Sequence, residues 1–356
     1  MKQLMVQATA LCALALPAHA DLTVMSWGGA YEKSQVEAYN KPFTAETGIA
    51  VNMTSADNPA GPIKSMVDAG NVTIDVVDLE YTDAVRLCDE GVLEEIDHST
   101  LPPAPDGTPA AEDFLPNALT DCAVASMVFA TVYGFDTTKF TDEQPSTIAD
   151  LFDAEKFPGK RGLRKGPKIN LEIALMADGV PAAEVYDVLA TPEGIDRAFA
   201  KLDTIKPHVV WWEAGSQPPQ LLADGEVAMT TAYNGRLFSA IAAENKPFKI
   251  VWDGQVQEYE LFAVPKGTPN RDAAMDYIRF ATGTQRLADQ TKWIAYGPAR
   301  KSSIPLVGTF EDGTTEMKPF LPTNQDNMAN ALQSSHDFWV DRETEITERF
   351  TTWLSR

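Results

Sequence analysis

Aromatic and carboxylate side chains recur together at the ends of apolar runs in this chain. They stand as Trp27 with Tyr31, Glu80 with Tyr81, Trp211-Trp212-Glu213, Tyr233-Asn234-Gly235-Arg236 and Glu258-Tyr259-Glu260. Ring faces attract a cation through their quadrupole and carboxylates complete its neutralisation, so the mixture suits an alkylammonium whose methylenes lie against the rings. In a strand Tyr259 faces away from Glu258 and Glu260, so the two acids share one face and need either solvent or a counter-charge. The same alternation sends one of Trp211 and Trp212 inward and the other outward, which leaves open whether either lines a cleft or both pack in a core. Arg236 is available as a partner for Glu213 or Glu260, or as a clamp for a ligand carboxylate, while Asn234-Gly235 also reads as a plain turn.

Other chemistries lack their residues. Beyond the first twenty positions the histidines are His98, His208 and His336, too scattered for a histidine-built metal site. No phosphate-binding loop, nucleophile elbow or His-Glu-x-x-His segment occurs. A ferric site would want paired tyrosines, and Tyr81, Tyr233, Tyr259 and Tyr296 are spread along the chain. The expectation is a binder with no cofactor and no catalytic residues; an exported enzyme is the alternative from another class, and it would need a nucleophile or base at the cleft.

The elements that must carry these residues begin after a leader. Lys2, an apolar run from Leu4 to Leu16 and then Pro17-Ala18-His19-Ala20 read as a secretory signal peptide cleaved after Ala20. Cys12 raises a lipid anchor as the rival, but Leu11 precedes it and apolar residues follow it. The chain has 356 residues and a net charge of −22, one unit more negative once Lys2 is removed. That charge repels nucleic acid and anionic membranes; it favours cationic solutes at long range or simply keeps an exported protein soluble. Such a length exceeds a single core and predicts two lobes. Cys88 and Cys122 flank a Pro-rich stretch, and in an oxidising compartment they are a disulfide candidate, with two buried thiols as the alternative.

Leu22 to Ser26 reads as a strand, Tyr31 to Thr47 as helical spacing interrupted by Pro42 and closed by Gly48, and Ile49 to Met53 as a strand again. This β-α-β opening predicts an α/β chain with ligands beyond the carboxyl ends of the strands. Helices are expected over Gly61 to Ala69 and Tyr81 to Glu90, with a buried strand from Ile74 to Leu79. Met127 to Phe135 reads as a crossover into a second lobe and Tyr259 to Val264 as the strand that returns. The division expected is 21–130 with 266–356 as a discontinuous first lobe and 131–265 as the second, with the tail from Asn327 to Trp353 mostly helical and packed on the first lobe.

Trp27-Gly28-Gly29, Phe43-Thr44-Ala45-Glu46-Thr47-Gly48-Ile49 and Ile74-Asp75-Val76-Val77 together resemble the start of bacterial extracellular solute-binding proteins of the spermidine/putrescine branch. Phe157-Pro158-Gly159-Lys160-Arg161, Leu222-Ala223-Asp224-Gly225-Glu226-Val227 and Phe262-Ala263-Val264-Pro265-Lys266-Gly267 extend the resemblance across nearly the whole chain. It implies a two-lobed type II periplasmic-binding-protein fold, each lobe a mixed sheet flanked by helices. It also implies a periplasmic monomer that binds putrescine, spermidine or a related amine and docks on an ABC transporter permease. At matching places it implies ligand roles for Trp27, Glu80, Tyr233 and Glu260. Two departures bear on the ligand. Polyamine binders of this branch carry acids where this chain has Arg164-Lys165-Gly166-Pro167-Lys168, and a Trp where it has Glu258. The basic run is either a solvated turn or a receptor for a carboxylate, and the second case, with Arg236 or Lys168 on the carboxylate, turns an amine site into one for an ω-amino acid such as 4-aminobutyrate.

Overall fold

The computed structural model describes residues 21–356, so the expected leader and its cleavage site lie outside the described residues. Short apolar runs ending in glycine or acidic residues become strands β1 (Leu22–Ser26), β2 (Val51–Ser55) and β3 (Val76–Glu80), all parallel. The segment from Gly29 to Thr47 stays helical through Pro42 instead of breaking there. A stretch of wider π-type turns, Val36–Asn40, precedes the proline, and Pro42 falls in the first turn of the helix that follows, where its missing N–H costs nothing. Gly48, with φ 78°, ends that helix in the left-handed conformation glycine tolerates.

Two long strands join the lobes. β4 (Ala123–Asp136) and β8 (Phe248–Ala263) run antiparallel from Ala123 opposite Ala263 to Asp136 opposite Phe248. The expected crossovers, Met127 to Phe135 and Tyr259 to Val264, cover the later part of each strand; β4 begins four residues earlier and β8 eleven residues earlier than expected. The second lobe adds β5 (Arg161–Arg164), β6 (Val209–Trp212) and β7 (Met229–Tyr233). The sheet therefore reads β2-β1-β3-β8-β4-β7-β5-β6, continuous through the crossover pair. Register shifts between Ala125 and Met127 and between Thr131 and Tyr133 bracket the stretch of β4 that faces Glu258 and Glu260. Such shifts bend and twist a strand pair, which lets one pair serve two differently oriented lobes.

Helices cover both faces. α1 (Tyr81–Asp89) follows β3 directly, α2 (Asn170–Ala177) is buried along its whole length, and α3 (Asn234–Ala242) follows β7. α4 (Arg271–Ala281) buries Ala274, Met275, Tyr277, Ile278 and Ala281, an i, i+3, i+4 stripe, against the first lobe. Burial of Met275 and Ile278 contributes about 1.5–3 kcal/mol each, and the two alanines less.

The C-terminal tail departs from expectation. Residues 327–335 are not helical apart from a short turn at Gln325–Asn327, and Leu332–Gln333 adds a strand beside β8. α5 (His336–Leu354) packs Trp339, Ile346 and Phe350 into the core of the second lobe, with Phe199 and Leu202, rather than onto the first. The indole N–H of Trp339 donates to the buried Glu172 of α2 at 2.7 Å, and burial raises the Glu172 carboxyl to about 7. The expected packing on the first lobe is thus replaced by the second lobe, whose core takes the tail's apolar stripe.

Cys88 at the end of α1 and Cys122 ahead of β4 are bonded, with a Cα separation of 5.7 Å across 34 positions. Closing a loop of that length removes about 3–4 kcal/mol of unfolded-chain entropy in the loop-closure description. Replacing both cysteines by serine is expected to lower unfolding stability by about that amount, measured from urea midpoints under oxidising conditions; an unchanged midpoint would show that the cross-link leaves the unfolded state unconstrained.

Candidate ligand-binding cleft

Three carboxylates meet where the lobes join. Glu80 ends β3, and the antiparallel pairing of β3 with β8 sets it directly across from Glu260. Glu258 lies two residues away on the same face, while Tyr259 turns to the other side and donates to the carbonyl of Pro116 at 2.9 Å. Glu80, Glu258 and Glu260 are 8%, 4% and 5% exposed, so the counter-charge required of a buried acidic face must come from the protein or a ligand.

The second lobe supplies part of it. Arg164 at the end of β5 reaches Glu80 Oε1 at 3.2 Å, and Lys168 Nζ lies 3.3 Å from Glu80 Oε2 and 2.5 Å from Glu258 Oε1. Burial opposes ionisation of Glu80, but Lys168 and Arg164 outweigh it and hold the carboxyl down at about 2. Glu258 moves the other way, because burial dominates and it shares Lys168 with a better-served neighbour. The basic run is thus split: Arg164 and Lys168 turn inward, and Lys165 pairs with Glu213 at the exposed rim at 2.9 Å.

Glu260 has no such partner. It accepts the indole N–H of Trp27 at 3.0 Å, and burial together with Asp78 and Glu80 pushes its pKa well up. Asp78, two residues before Glu80 on the same face of β3, accepts from Ser26 Oγ at 3.0 Å and Gln35 Nε2 at 2.6 Å, and burial lifts it to about 7. Among the described residues Arg236 is the complementary case: 8% exposed, in no ion pair, donating from Nη2 to the Trp27 carbonyl at 3.3 Å, with Nε unpartnered. The backbone comes close here, since a Cβ on Gly29 would stand 2.5 Å from Arg236 Nη1. Trp27 therefore carries a carboxyl without a cation at its indole edge and a guanidinium without an anion at its carbonyl.

Aromatic rings frame this arrangement. Tyr233 packs edge-on against Phe129 at 5.3 Å and Trp212 at 5.7 Å, with the Arg164 guanidinium 5.9 Å from its ring centre. Tyr31 is buried under the cleft and meets Tyr296 at 5.5 Å. Burial raises the Tyr31 and Tyr233 hydroxyl pKa values further above their ordinary range.

Several expected residues lie elsewhere. Trp211 packs against Phe350 and Trp353 of α5, outside the cleft, and Trp212 supports Tyr233 from behind. Glu213 is exposed and pairs with Lys165, so it is no partner for Arg236. Asn234 is neither a turn residue nor a ligand contact: its side chain accepts from Ala130 N–H at 3.0 Å and donates to the Ala295 carbonyl, tying α3 to β4. Tyr81 lines a cavity together with Glu258 itself, so it borders the acidic face from the other side, its ring 4.3 Å from His336. Three participants went unread. Asp78 was accessible from the period-2 alternation running back from Glu80. Phe129 follows from its place opposite Glu258 on β4. Asn170 had no signal; its side chain donates to the carbonyls of Arg164 and Gly166 and fixes the basic loop, next to Ile169 at φ 72°.

Comparison with known proteins gives a consistent picture. The family described as bacterial extracellular solute-binding protein matches residues 38–319. The gamma-aminobutyric acid-binding protein of Pseudomonas aeruginosa is 43% identical over 335 residues, 94% of this chain and 91% of that protein. The spermidine/putrescine-binding periplasmic protein 1 of Haemophilus influenzae is 24% identical over 309 residues, 84% of this chain and 83% of that one. Among solved structures, MotA of A. tumefaciens B6 with glucopine superposes at TM-score 0.84 and 29% identity, covering 94% of this chain and 99% of that one. A GABA receptor superposes at 0.78 and 33% identity, covering 94% and 97%.

The Asp78 environment has a consequence for stability. Its carboxyl titrates near 3.9 in an unfolded chain and about 7 here, so between those values the folded state holds a proton the unfolded state has released. Stability is fully present below the lower value and falls as pH rises through the upper one. Asp78→Asn is expected to flatten the decline in urea midpoint between pH 5 and pH 8; a decline as steep as in the parent protein would assign it to other groups.

Proposed function

This chain belongs to the bacterial extracellular solute-binding proteins, the components that bring small solutes to ABC permeases, and from that premise we propose that its solute is a zwitterionic ω-amino acid such as 4-aminobutyrate, captured in the periplasm. The observation that carries the reading is the charge balance of the cleft. Glu80, Glu258 and Glu260 face Arg164, Lys168 and Arg236, three against three, and two of the acids are already neutralised. A diamine brings two positive charges and needs an excess of acid, whereas a zwitterion adds no net charge.

The two unmatched groups define the poles. The ammonium goes to Glu260, flanked by the Trp27 and Tyr233 rings, and the carboxylate goes to Arg236, whose planar fork suits it. Both poles lie on Trp27, so the intervening methylenes run along that residue. The 43% identity with a gamma-aminobutyric acid-binding protein supports this choice over a polyamine. Lobe closure would bury the solute and present a new surface to the permease.

Calorimetry and thermal shift test the assignment. At about 100 times its dissociation constant, 4-aminobutyrate is expected to stabilise the protein by about 2.7 kcal/mol, with putrescine and spermidine far less effective. A preference for the diamines would sink the reading. Glu260→Gln is expected to weaken 4-aminobutyrate by about 30-fold or more, since breaking one side of a buried charge pair costs about 2–5 kcal/mol; unchanged affinity would move the ammonium elsewhere.

A further inference from the structure

The cleft has the acids for two ammonium groups, and the protein fills one place itself. Lys168 Nζ stands between Glu258 Oε1 at 2.5 Å and Glu80 Oε2 at 3.3 Å, its side chain 11% exposed. An incoming ammonium seeks the same surroundings: two carboxylates, little water and aromatic rings nearby. The Tyr233 ring lies 5.9 Å from the guanidinium of Arg164, which shares Glu80 with Lys168, and beyond Glu258 a cavity of about 320 Å³ is walled by Tyr81 and Tyr259. Glu258 Oε2, which has no hydrogen-bond partner, remains for a further donor. Glu260, two residues along β8 and opposite Glu80 on β3, is the only one of the three acids whose carboxylate has no cation beside it among the described residues.

We propose that Lys168 is the specificity-determining residue of the cleft, its ammonium occupying the place of a diamine's second ammonium. This deepens the ω-amino-acid reading and rests on it for the identity of the solute. With Lys168 in place a diamine can seat one end at Glu260, and its other end meets a fixed positive charge. A zwitterion avoids that conflict by sending its carboxylate to Arg236. Arg164 does not substitute, because among the three acids it pairs with Glu80 alone and leaves Glu258 to Lys168.

Lys168→Ala removes the charge and opens its space, so the variant is expected to bind putrescine at least tenfold tighter than the parent protein. The ratio of putrescine to 4-aminobutyrate affinity should shift at least a hundredfold, read by calorimetry on both proteins. Unchanged or weaker putrescine binding by a folded variant overturns the proposal. If the variant melts too early for titration, propylammonium chloride should raise its Tm more than equal sodium chloride does, and leave the parent unmoved; no such difference overturns the proposal equally. The putrescine comparison is internal to the two proteins. Failure of the parent to bind 4-aminobutyrate would therefore sink the solute assignment while leaving the role of Lys168 separately decided.

Discussion

The antiparallel pairing of β3 with β8 puts Glu80 opposite Glu260, and strand alternation adds Glu258 to the same buried face. Like charges side by side in a sheet repel, and burial removes the water that would screen them. The rest of the cleft answers this constraint. The second lobe delivers Arg164 and Lys168 from a loop pinned by Asn170, and Trp27 caps Glu260 with an indole N–H. The remaining imbalance, a carboxyl at one end of Trp27 and a guanidinium at the other, is the part left to a solute.

The same contacts run between the lobes. Glu80 ends β3 of the first lobe and its cationic partners follow β5 of the second, so these ion pairs bridge the two. The crossover strands carry the sheet through this seam unbroken, with register shifts on β4 that bracket the acidic stretch and bend the pair there. α5 extends the interface: its core residues sit in the second lobe, while His336 at its start packs, tilted by 58°, against Tyr81 of the first. On the far side, the Cys88–Cys122 bond fastens α1, which carries Tyr81, to the start of β4.

Much of this was legible in the chain. The alternation of Glu258-Tyr259-Glu260 settled which side chains share a face, and the demand for a counter-charge followed from it. Apolar runs located β1 and β3, and Gly91 the end of α1, to within a few residues, and six ordered motifs pointed to the family. Errors came where one residue had to be placed against something distant. Alternation sent Trp211 and Trp212 to opposite sides, as observed, but did not say which of them meets α5 and which meets Tyr233. Asn234 looked like a turn or a ligand contact because its partners, Ala130 and Ala295, are far away in sequence. The tail's helical pattern was readable, but not the surface it covers.

The sequence by itself determined the element types, the two-lobed α/β plan and the acidic face, since these depend on local periodicity and on side-chain chemistry. Only the tertiary structure decided that Lys168 rather than a solute neutralises Glu258, and that Arg236 keeps no carboxylate. Those outcomes depend on distances between groups separated by tens to hundreds of residues. Electrostatic energy in a buried site changes by several kcal/mol over an ångström or two, so a chain that lists its charges does not say which of them meet.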